Sequence, residues 1–334
     1  MTKKIFVIIN TGTPDKAEVH YVRKFLSDFL NDRRVIDLQW LAGKILVNLI
    51  IVPFRAPEST KKYLKLWNEN GFPLRYHLNN LVEKLQRRVG DEYLVSGAMR
   101  YGNPSLKDIL QQIKRISPEQ VIFFPLFPHY ASSTTGSVNE FIMNQMKGWE
   151  VIPEVKFQGQ FYSHPLYIDS VVSQIGKFDV SEYDHIVFSY HGLPLKQVQK
   201  NHPAIDCKSC TCEKEFPESC KLCYKAACYE TTRLLSGKLG LESTTFSTSF
   251  QSRMSDGWLG PFTDDLLKEL AVSGKRRVLV AAPSFAADCL ETIVEIGEEY
   301  QELFISSGGE KLDLVSSLND DDKWVEAIIE IAGI

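Results

Sequence analysis

The chain has 334 residues, which is enough for two domains or one large domain. Its 44% hydrophobic and 24% charged residues are ordinary for a globular protein, and its net charge of −4 gives no broad basic surface, so nucleic acid is not an expected partner. The start of the sequence has no signal-peptide pattern and the longest apolar run is too short to span a bilayer, so we expect a cytoplasmic location.

Strand and helix patterns alternate through the first half of the chain. Strands are predicted at 5–10, 93–99, 121–128 and 149–155, and helices at 22–30, from the turn at 70–73 to about 89, at 105–116 and at 138–146. This alternation predicts a mostly parallel sheet, and we place a domain boundary after residue 155. The first turn has no glycine-rich phosphate-binding pattern, so nucleotide binding has little support.

The segment 40–54 is apolar on nearly every face, which is unusual so near the start of an α/β domain. Two interpretations remain open. The segment is either a buried helix, or an exposed apolar lip that touches a membrane or an apolar ligand.

The second half, 156–334, repeats the alternation. Strands are predicted at 185–190, 243–249 and 277–283, helices at 165–177, 223–237, 262–271 and 287–303, and a strand followed by a helix in the tail from 312. Two similar α/β halves that face each other have, by default, a ligand cleft between them.

His191 follows a short buried strand and precedes the breakers Gly192 and Pro194. It therefore lies at the carboxyl end of a strand, where open α/β sheets bind ligands and where an imidazole can exchange protons near neutral pH. A second polar group follows the strand 277–283. At α-helical spacing, Asp288, Glu291, Glu295 and Glu299 share one face, which is either a solvated acidic surface or a row of oxygen ligands for a divalent metal.

Six of the seven cysteines are crowded into residues 207–228. Without a secretory signal, such a cluster binds metal more often than it forms disulfides.

Several long motifs resemble those of the ferrochelatase family, in order and over nearly the whole chain. They are INTGTP at 9–14, RYGNP at 100–104, PLFPHYASSTTGS at 125–137, SYHGLP at 189–194, FQSRMSDGWLGP at 250–261 and PSFAADCLETIVEI at 283–296. The resemblance implies an α/β class II chelatase fold, in which two facing Rossmann-like domains with parallel sheets insert ferrous iron into a porphyrin held in the cleft between them.

The resemblance also assigns residues to this chemistry. His191 matches the family's proton acceptor, Glu291 matches the carboxylate opposite it, and Glu295 would continue the iron path. The positions that match porphyrin contacts are Tyr63, Arg100, Tyr101, Tyr130, Trp258 and Phe285. The segment 40–54 matches a lip that covers the porphyrin and rests on the inner face of a membrane.

The cysteine-rich insert at about 200–228 is the largest departure from simpler members of the family. By resemblance it implies a [2Fe-2S] cluster held by four thiolates, although two CxxC pairs could equally hold tetrahedral zinc. Cys228 is set aside because it falls at a helix start, so the ligands would be four of Cys207, Cys210, Cys212, Cys220 and Cys223. Spacing does not choose among these five.

The choice between protoporphyrin and coproporphyrin stays open at this point, and the apolar lip favours protoporphyrin IX. Two other functions compete with iron insertion. One is a chelatase that inserts cobalt or nickel into another tetrapyrrole by the same chemistry, and the other is a non-catalytic porphyrin- or haem-binding protein.

Overall fold

The computed structural model describes residues 4–36, 40–201, 206–207, 209–216 and 221–334, without the side chains of residues 40–42. Its first sheet has four parallel strands in the order β2-β1-β3-β4. These strands are β1 (Lys4–Gly12), β2 (Tyr93–Tyr101), β3 (Gln120–Pro125) and β4 (Glu154–Phe157). Neighbours on both sides bury β1, which explains its continuous apolar sequence.

The second sheet repeats this arrangement in the order β6-β5-β7-β8, again all parallel. Its strands are β5 (His185–His191), β6 (Phe246–Gln251), β7 (Arg277–Ala281) and β8 (Lys311–Leu314). In the sheet register His191 lies opposite Gln251. The prediction of two α/β halves with parallel sheets is confirmed.

Helices pack on both sheets. With the first sheet are α1 (Val19–Leu30), α2 (Trp40–Ile45), the π-helix Leu46–Ile51, α3 (Val52–Leu66), α4 (Pro73–Val89), α5 (Leu106–Ile116), the π-helix Ser132–Gly136 and α6 (Ser137–Met146). Later in the chain come α7 (Pro165–Ile175), a 3₁₀ turn (Val180–Glu182), α8 (Leu195–Gln199), α9 (Tyr224–Leu239), α10 (Thr263–Val272), the π-helix Leu290–Tyr300, α11 (Gln301–Ser306) and α12 (Asp322–Ala332).

The contacts divide the chain into two units. The first comprises the residues up to Phe127, Ala131–Gly159 and Asp320–Ile334, and the second comprises Pro128–Tyr130 and Gln160–Asn319. The sequence analysis placed all of 156–334 in the second domain, whereas the tail packs with the first unit. Two interactions explain this difference, because Asp320 pairs with His77 of α4 at 2.5 Å and α12 buries Trp324 completely.

The segment 40–54 has a buried side and an exposed side. Val47 and Val52 are buried in a cluster with residues of α1. Four other side chains, which we call the apolar face, are 50% to 77% exposed; they are Ile45, Leu49, Ile50 and Phe54. The buried side fits the interpretation as a core helix, and the exposed side is the part to which the prediction of an apolar lip applies. Among the described residues, no helix is long and apolar enough to cross a membrane.

Candidate active site

His191 is the last residue of β5, and its ring is held by the next residue of the chain. Imidazole Nδ1 lies 2.6 Å from the carbonyl oxygen of Gly192. Because a carbonyl oxygen can only accept, the proton of the neutral ring sits on Nδ1 and the lone pair sits on Nε2. This arrangement leaves a base at the carboxyl end of an interior strand of the second sheet.

Two other elements hold the main chain of His191. Its amide donates to Ser284 Oγ at 3.2 Å, in the loop after β7. Its carbonyl oxygen accepts a hydrogen bond from the Tyr224 hydroxyl at 2.8 Å, from the first turn of α9. The backbone that carries the imidazole is thus held by two side chains from outside the strand.

Two aromatic rings pack beside the imidazole. The ring centroids of Trp258 and Phe285 lie 6.3 Å and 6.2 Å from that of His191. Gly192 allows this close approach, because a Cβ there would lie 2.7 Å from the Gln251 carbonyl oxygen and 3.3 Å from the Trp258 ring. The three residues predicted from separate motifs therefore meet in the second unit.

Glu291 lies in the first turn of the π-helix Leu290–Tyr300, which begins in the loop after β7. Cys289 caps this helix, since its thiol accepts from the Thr292 amide while its own amide donates to Thr292 Oγ1. Burial raises the pKa of the Cys289 thiol well above its usual value, and a hydrogen bond to the Glu291 carboxylate raises it further. The main-chain carbonyl of Glu291 accepts from Gln251 Nε2 at 3.0 Å.

The predicted single acidic face is wrong for Asp288, which precedes the helix. Its carboxylate accepts from the Ser317 amide, Asn319 Nδ2 and Thr292 Oγ1, so it braces the loop. Glu295 is on the helix and also has hydrogen-bond partners. They are the Ser252 amide at 2.8 Å, Ser252 Oγ at 2.6 Å and the Tyr300 hydroxyl at 2.7 Å.

In the first unit, Arg100 and Tyr101 meet at one carboxylate. Arg100 Nη2 and the Tyr101 hydroxyl reach Asp32 Oδ2 at 2.8 Å and 2.7 Å, and Ser137 Oγ donates to the same oxygen at 2.6 Å. The guanidinium also lies over the rings of Tyr101 and Phe141. These contacts connect Asp32, which follows α1, to the end of β2 and the start of α6.

The electrostatics of this network favour an ionised Asp32. Burial by itself raises the pKa of its carboxyl, but hydrogen bonds from Ser137, Tyr101 and the Arg34 amide, together with the charge of Arg100, outweigh burial and hold the pKa below its ordinary value. Burial also raises the pKa of Tyr101, which therefore stays a proton donor.

A cavity of about 900 Å³ opens beside Arg100 and Tyr101 within the first unit. Its lining is largely polar and includes Lys44 and Asn48. A volume of this size is in the range of small-molecule sites.

Two further residues predicted to contact porphyrin lie elsewhere. Tyr63 of α3 is 8% exposed and packs edge-on against Phe25 and Phe72. Tyr130 belongs to the second unit, where its amide donates to Gln160 Oε1 at 3.4 Å.

Three thiols of the cysteine insert, those of Cys207, Cys210 and Cys223, lie close enough to influence one another. Cys207, Cys212 and Cys223 are buried, and Cys210 is partly exposed. Burial, together with the neighbouring Cys223 and Cys210, raises the pKa of Cys207 to about 11. Cys220 lies outside the described residues.

One buried cation accompanies these thiols. Lys225 is 4% exposed; it pairs with Glu213 at 2.6 Å and donates to the Cys207 carbonyl oxygen at 3.2 Å. Among the described residues, no group of three or more His, Cys, Asp or Glu side chains is arranged to hold a metal ion.

Three residues that position the site were missed in the sequence. They are Asp32, Tyr224 and Gln251, which bond Arg100, His191 and Glu291 respectively. Only Gln251 has a local signal, because it is a polar residue at the end of a strand and inside the motif from which Trp258 was chosen.

Solved structures identify the fold as that of class II chelatases. The structure of SirB from Bacillus subtilis with Fe³⁺ matches with a TM-score of 0.54 at 11% identity, covering 99% of this chain and 96% of that one. The sirohydrochlorin chelatase SirB of B. subtilis subspecies spizizenii, in complex with cobalt, matches with a TM-score of 0.52 at 10% identity, covering 99% and 94%. At these identities the likeness establishes the fold only.

The sequence comparisons define the protein further. The chain belongs to the ferrochelatase family, whose profile matches residues 3–333. It is 39% identical over 326 residues to the ferrochelatase of Legionella pneumophila strain Corby, covering 97% of each chain. It is 38% identical over 334 residues to that of Coxiella burnetii strain CbuK_Q154, covering 98% and 92%. The predicted family, fold and enzyme class, iron insertion into a porphyrin in haem synthesis, are confirmed.

Proposed function

We propose that the enzyme inserts Fe²⁺ into protoporphyrin IX, with His191 as the proton acceptor. A free-base porphyrin loses two N–H protons as the metal enters, so a base with an accessible lone pair is needed. The observation that carries this role is the hydrogen bond from Nδ1 of His191 to the Gly192 carbonyl, which leaves Nε2 to receive a proton. Trp258 and Phe285 supply flat apolar surface beside this atom.

Glu291 is the second group in this proposal. Its carboxylate takes up a proton or holds the incoming iron, which is a substrate that prefers nitrogen and oxygen ligands. Support comes from the packing of the loop after β7, which carries Ser284 and Phe285 against His191 and continues into the helix of Glu291. Glu295 stays on the predicted iron path, although its carboxylate has a second task in holding Ser252.

Removing the base tests the assignment. With His191→Ala we expect iron insertion to fall at least about 100-fold, the usual contribution of a general base, while porphyrin fluorescence quenching still reports binding. Glu291→Gln, which keeps the shape and removes the charge, should lower insertion with a smaller effect on porphyrin binding. Near-normal turnover of His191→Ala would overturn the role of His191.

The same assay separates the possible substrates. Insertion is measured in parallel on protoporphyrin and coproporphyrin, with iron, cobalt and nickel as the metals. Preference for Fe²⁺ with protoporphyrin supports the proposal. Preference for coproporphyrin or for another metal would identify a substrate other than the one proposed. Binding without turnover would identify a porphyrin-binding protein.

The apolar face supports a peripheral contact with the inner surface of a membrane. Ile45, Leu49, Ile50 and Phe54 expose half or more of their side chains along one segment. Burying such side chains in the acyl boundary is favourable. An apolar substrate and an apolar product are well served by an enzyme at that boundary, which is a further reason to favour protoporphyrin over the more polar coproporphyrin.

The cysteine insert supports a [2Fe-2S] cluster held by four of Cys207, Cys210, Cys212, Cys220 and Cys223. Three of the four described candidates are buried, and burial together with neighbouring thiols raises the pKa of Cys207. Forming thiolates at such a site costs free energy, and a bound cation offsets that cost. When bound, the cluster would supply a structural cross-link that responds to iron or oxidants, since iron insertion needs no change of oxidation state. Structural zinc is the alternative occupant.

A further inference from the structure

Gln251 joins the main chains that carry the candidate base and the candidate carboxylate. It is the last residue of β6, lies opposite His191 in the sheet and is 1% exposed. Its carbonyl oxygen accepts from the Gly192 amide at 2.8 Å. Through its main chain it therefore holds the residue that bonds the imidazole.

The side chain of Gln251 reaches in the other direction. Its Oε1 accepts from Ser189 Oγ at 2.9 Å, and its Nε2 donates to the main-chain oxygen of Glu291 at 3.0 Å. Because the main-chain oxygen of Glu291 can only accept, the Gln251 amide must present its nitrogen there. Its oxygen then accepts from the Ser189 hydroxyl. Both ends of this buried amide are satisfied, which fixes its orientation.

We propose that Gln251 is a positioning residue that sets the distance between His191 and Glu291. This inference rests on the proposed roles of those two residues in iron insertion. Gln251 acts through its neighbours, because its amide bonds Ser189 on the strand of the base and the first turn of the helix of the carboxylate. Catalytic groups misplaced by about 1 Å can lose about 100-fold in rate, so loss of the single buried amide that connects these two groups should lower the rate.

Two substitutions and one matched control test this. Gln251→Leu keeps the volume and removes both side-chain hydrogen bonds. Gln174→Leu is the control, because Gln174 is also a buried glutamine of the second unit, 4% exposed, and its side chain accepts from Lys177, an exposed residue just after the end of α7. We expect Gln251→Leu to lower kcat about 10- to 100-fold with little change in the KM for porphyrin. Gln174→Leu should leave both constants near the wild-type values.

Gln251→Glu gives a readout that loss of packing would not move. An ionised carboxylate faces the oxygen of Glu291 with no proton to donate, whereas a protonated carboxyl restores the donor. The kcat of this variant relative to wild type should therefore rise as the pH falls, while the ratio for Gln251→Leu stays flat. Circular dichroism at each pH confirms that the variants are folded. If Gln251→Leu is not folded, the pH dependence of the kcat ratio between Gln251→Glu and wild type decides.

The possible failures are distinct. If wild type inserts iron and His191→Ala does not, but Gln251→Leu behaves like Gln174→Leu, the positioning role is overturned and the proposed function stands. A kcat ratio between Gln251→Glu and wild type that does not change with pH likewise overturns the positioning role. If His191→Ala turns over normally, the proposed function itself fails.

Discussion

The phenolic hydroxyl of Tyr224 donates a hydrogen bond of 2.8 Å to the main-chain carbonyl of His191. Tyr224 directly follows Cys223, whose thiol caps α9 by accepting from the Ala226 amide at 3.4 Å. The residue that steadies the candidate base is therefore the chain neighbour of a candidate cluster ligand. A change at the cysteines should therefore alter the position of His191, because Tyr224 lies in the same helical turn that Cys223 caps.

Tyr224→Phe tests this link. The change leaves the buried carbonyl of His191 without its partner, which costs about 1–3 kcal/mol of unfolding free energy. We expect the kcat for iron insertion to fall, by less than the ~100-fold of a full 1 Å displacement. Ser170→Ala is the control, because the buried hydroxyl of Ser170 also bonds a main-chain carbonyl, that of Leu166, at 2.7 Å. Equal losses of kcat in the two variants would contradict a specific link to His191.

Ser252 holds a left-handed backbone conformation with φ of 62°, which disfavours residues other than glycine. The Glu295 carboxylate offsets this cost by bonding both its amide and its hydroxyl. Ser252→Ala loses the hydroxyl bond and keeps the strain, so urea unfolding should show a loss of about 1 kcal/mol. Ser252→Gly loses the same bond but relieves the strain, so its stability should lie close to that of wild type. Equal losses in both variants would show that the conformation is not strained.

Asp32 makes the first unit sensitive to acid. Because its pKa is lowered in the folded state, the carboxylate contributes stability above its unfolded pKa of about 3.9, and that contribution is lost as the pH falls through the lower folded value. Asp32→Asn should cost up to about 3 kcal/mol at pH 7, since it leaves the largely buried Arg100 unpaired. In urea titrations the gap between wild type and the variant should shrink below pH 4, and a gap of constant size would contradict this account.

The apolar face should govern membrane affinity. Leu49→Ser and Phe54→Ser together remove two exposed apolar side chains and should lower binding to anionic liposomes at least about 10-fold in a flotation assay. Val272→Ser is the control, because Val272 is 81% exposed on α10 of the second unit. Iron insertion into a detergent-solubilised porphyrin should be unchanged in the double variant and in the control. Unchanged flotation of the double variant would contradict the proposed contact.

Metal analysis decides what the cysteine insert holds. Anaerobically purified protein should contain about two iron atoms and two sulfides per chain and show visible absorption that bleaches on reduction. At least one of Cys207→Ser and Cys223→Ser should lose this absorption, because four of the five candidates are ligands, whereas Cys228→Ser should keep it. A colourless protein with about one zinc per chain would identify the other occupant.

The sequence predicted the two parallel sheets, because local hydrophobic patterns determine them. The meeting of His191, Trp258 and Phe285 was implied by the family resemblance, since the patterns alone place only His191 at a strand end. It did not predict that α12 packs with the first unit, since that depends on Asp320 reaching His77 across 243 positions of the chain. It also misplaced Asp288, because α-helical spacing was extended into a loop. The partners Asp32 and Tyr224 were missed for the same reason as the tail, since no local pattern records a tertiary hydrogen bond.

The helix that carries Glu291 has i→i+5 geometry, so its ladder of side chains follows steps of four and five instead of three and four. Val294, three positions after Glu291, is fully buried, while Glu295 contacts Tyr300 five positions later. An engineer who wants to lengthen a row of metal ligands on this helix should therefore build on 291, 295 and 300. Spacing taken from ordinary helices would drive a new carboxylate into the core.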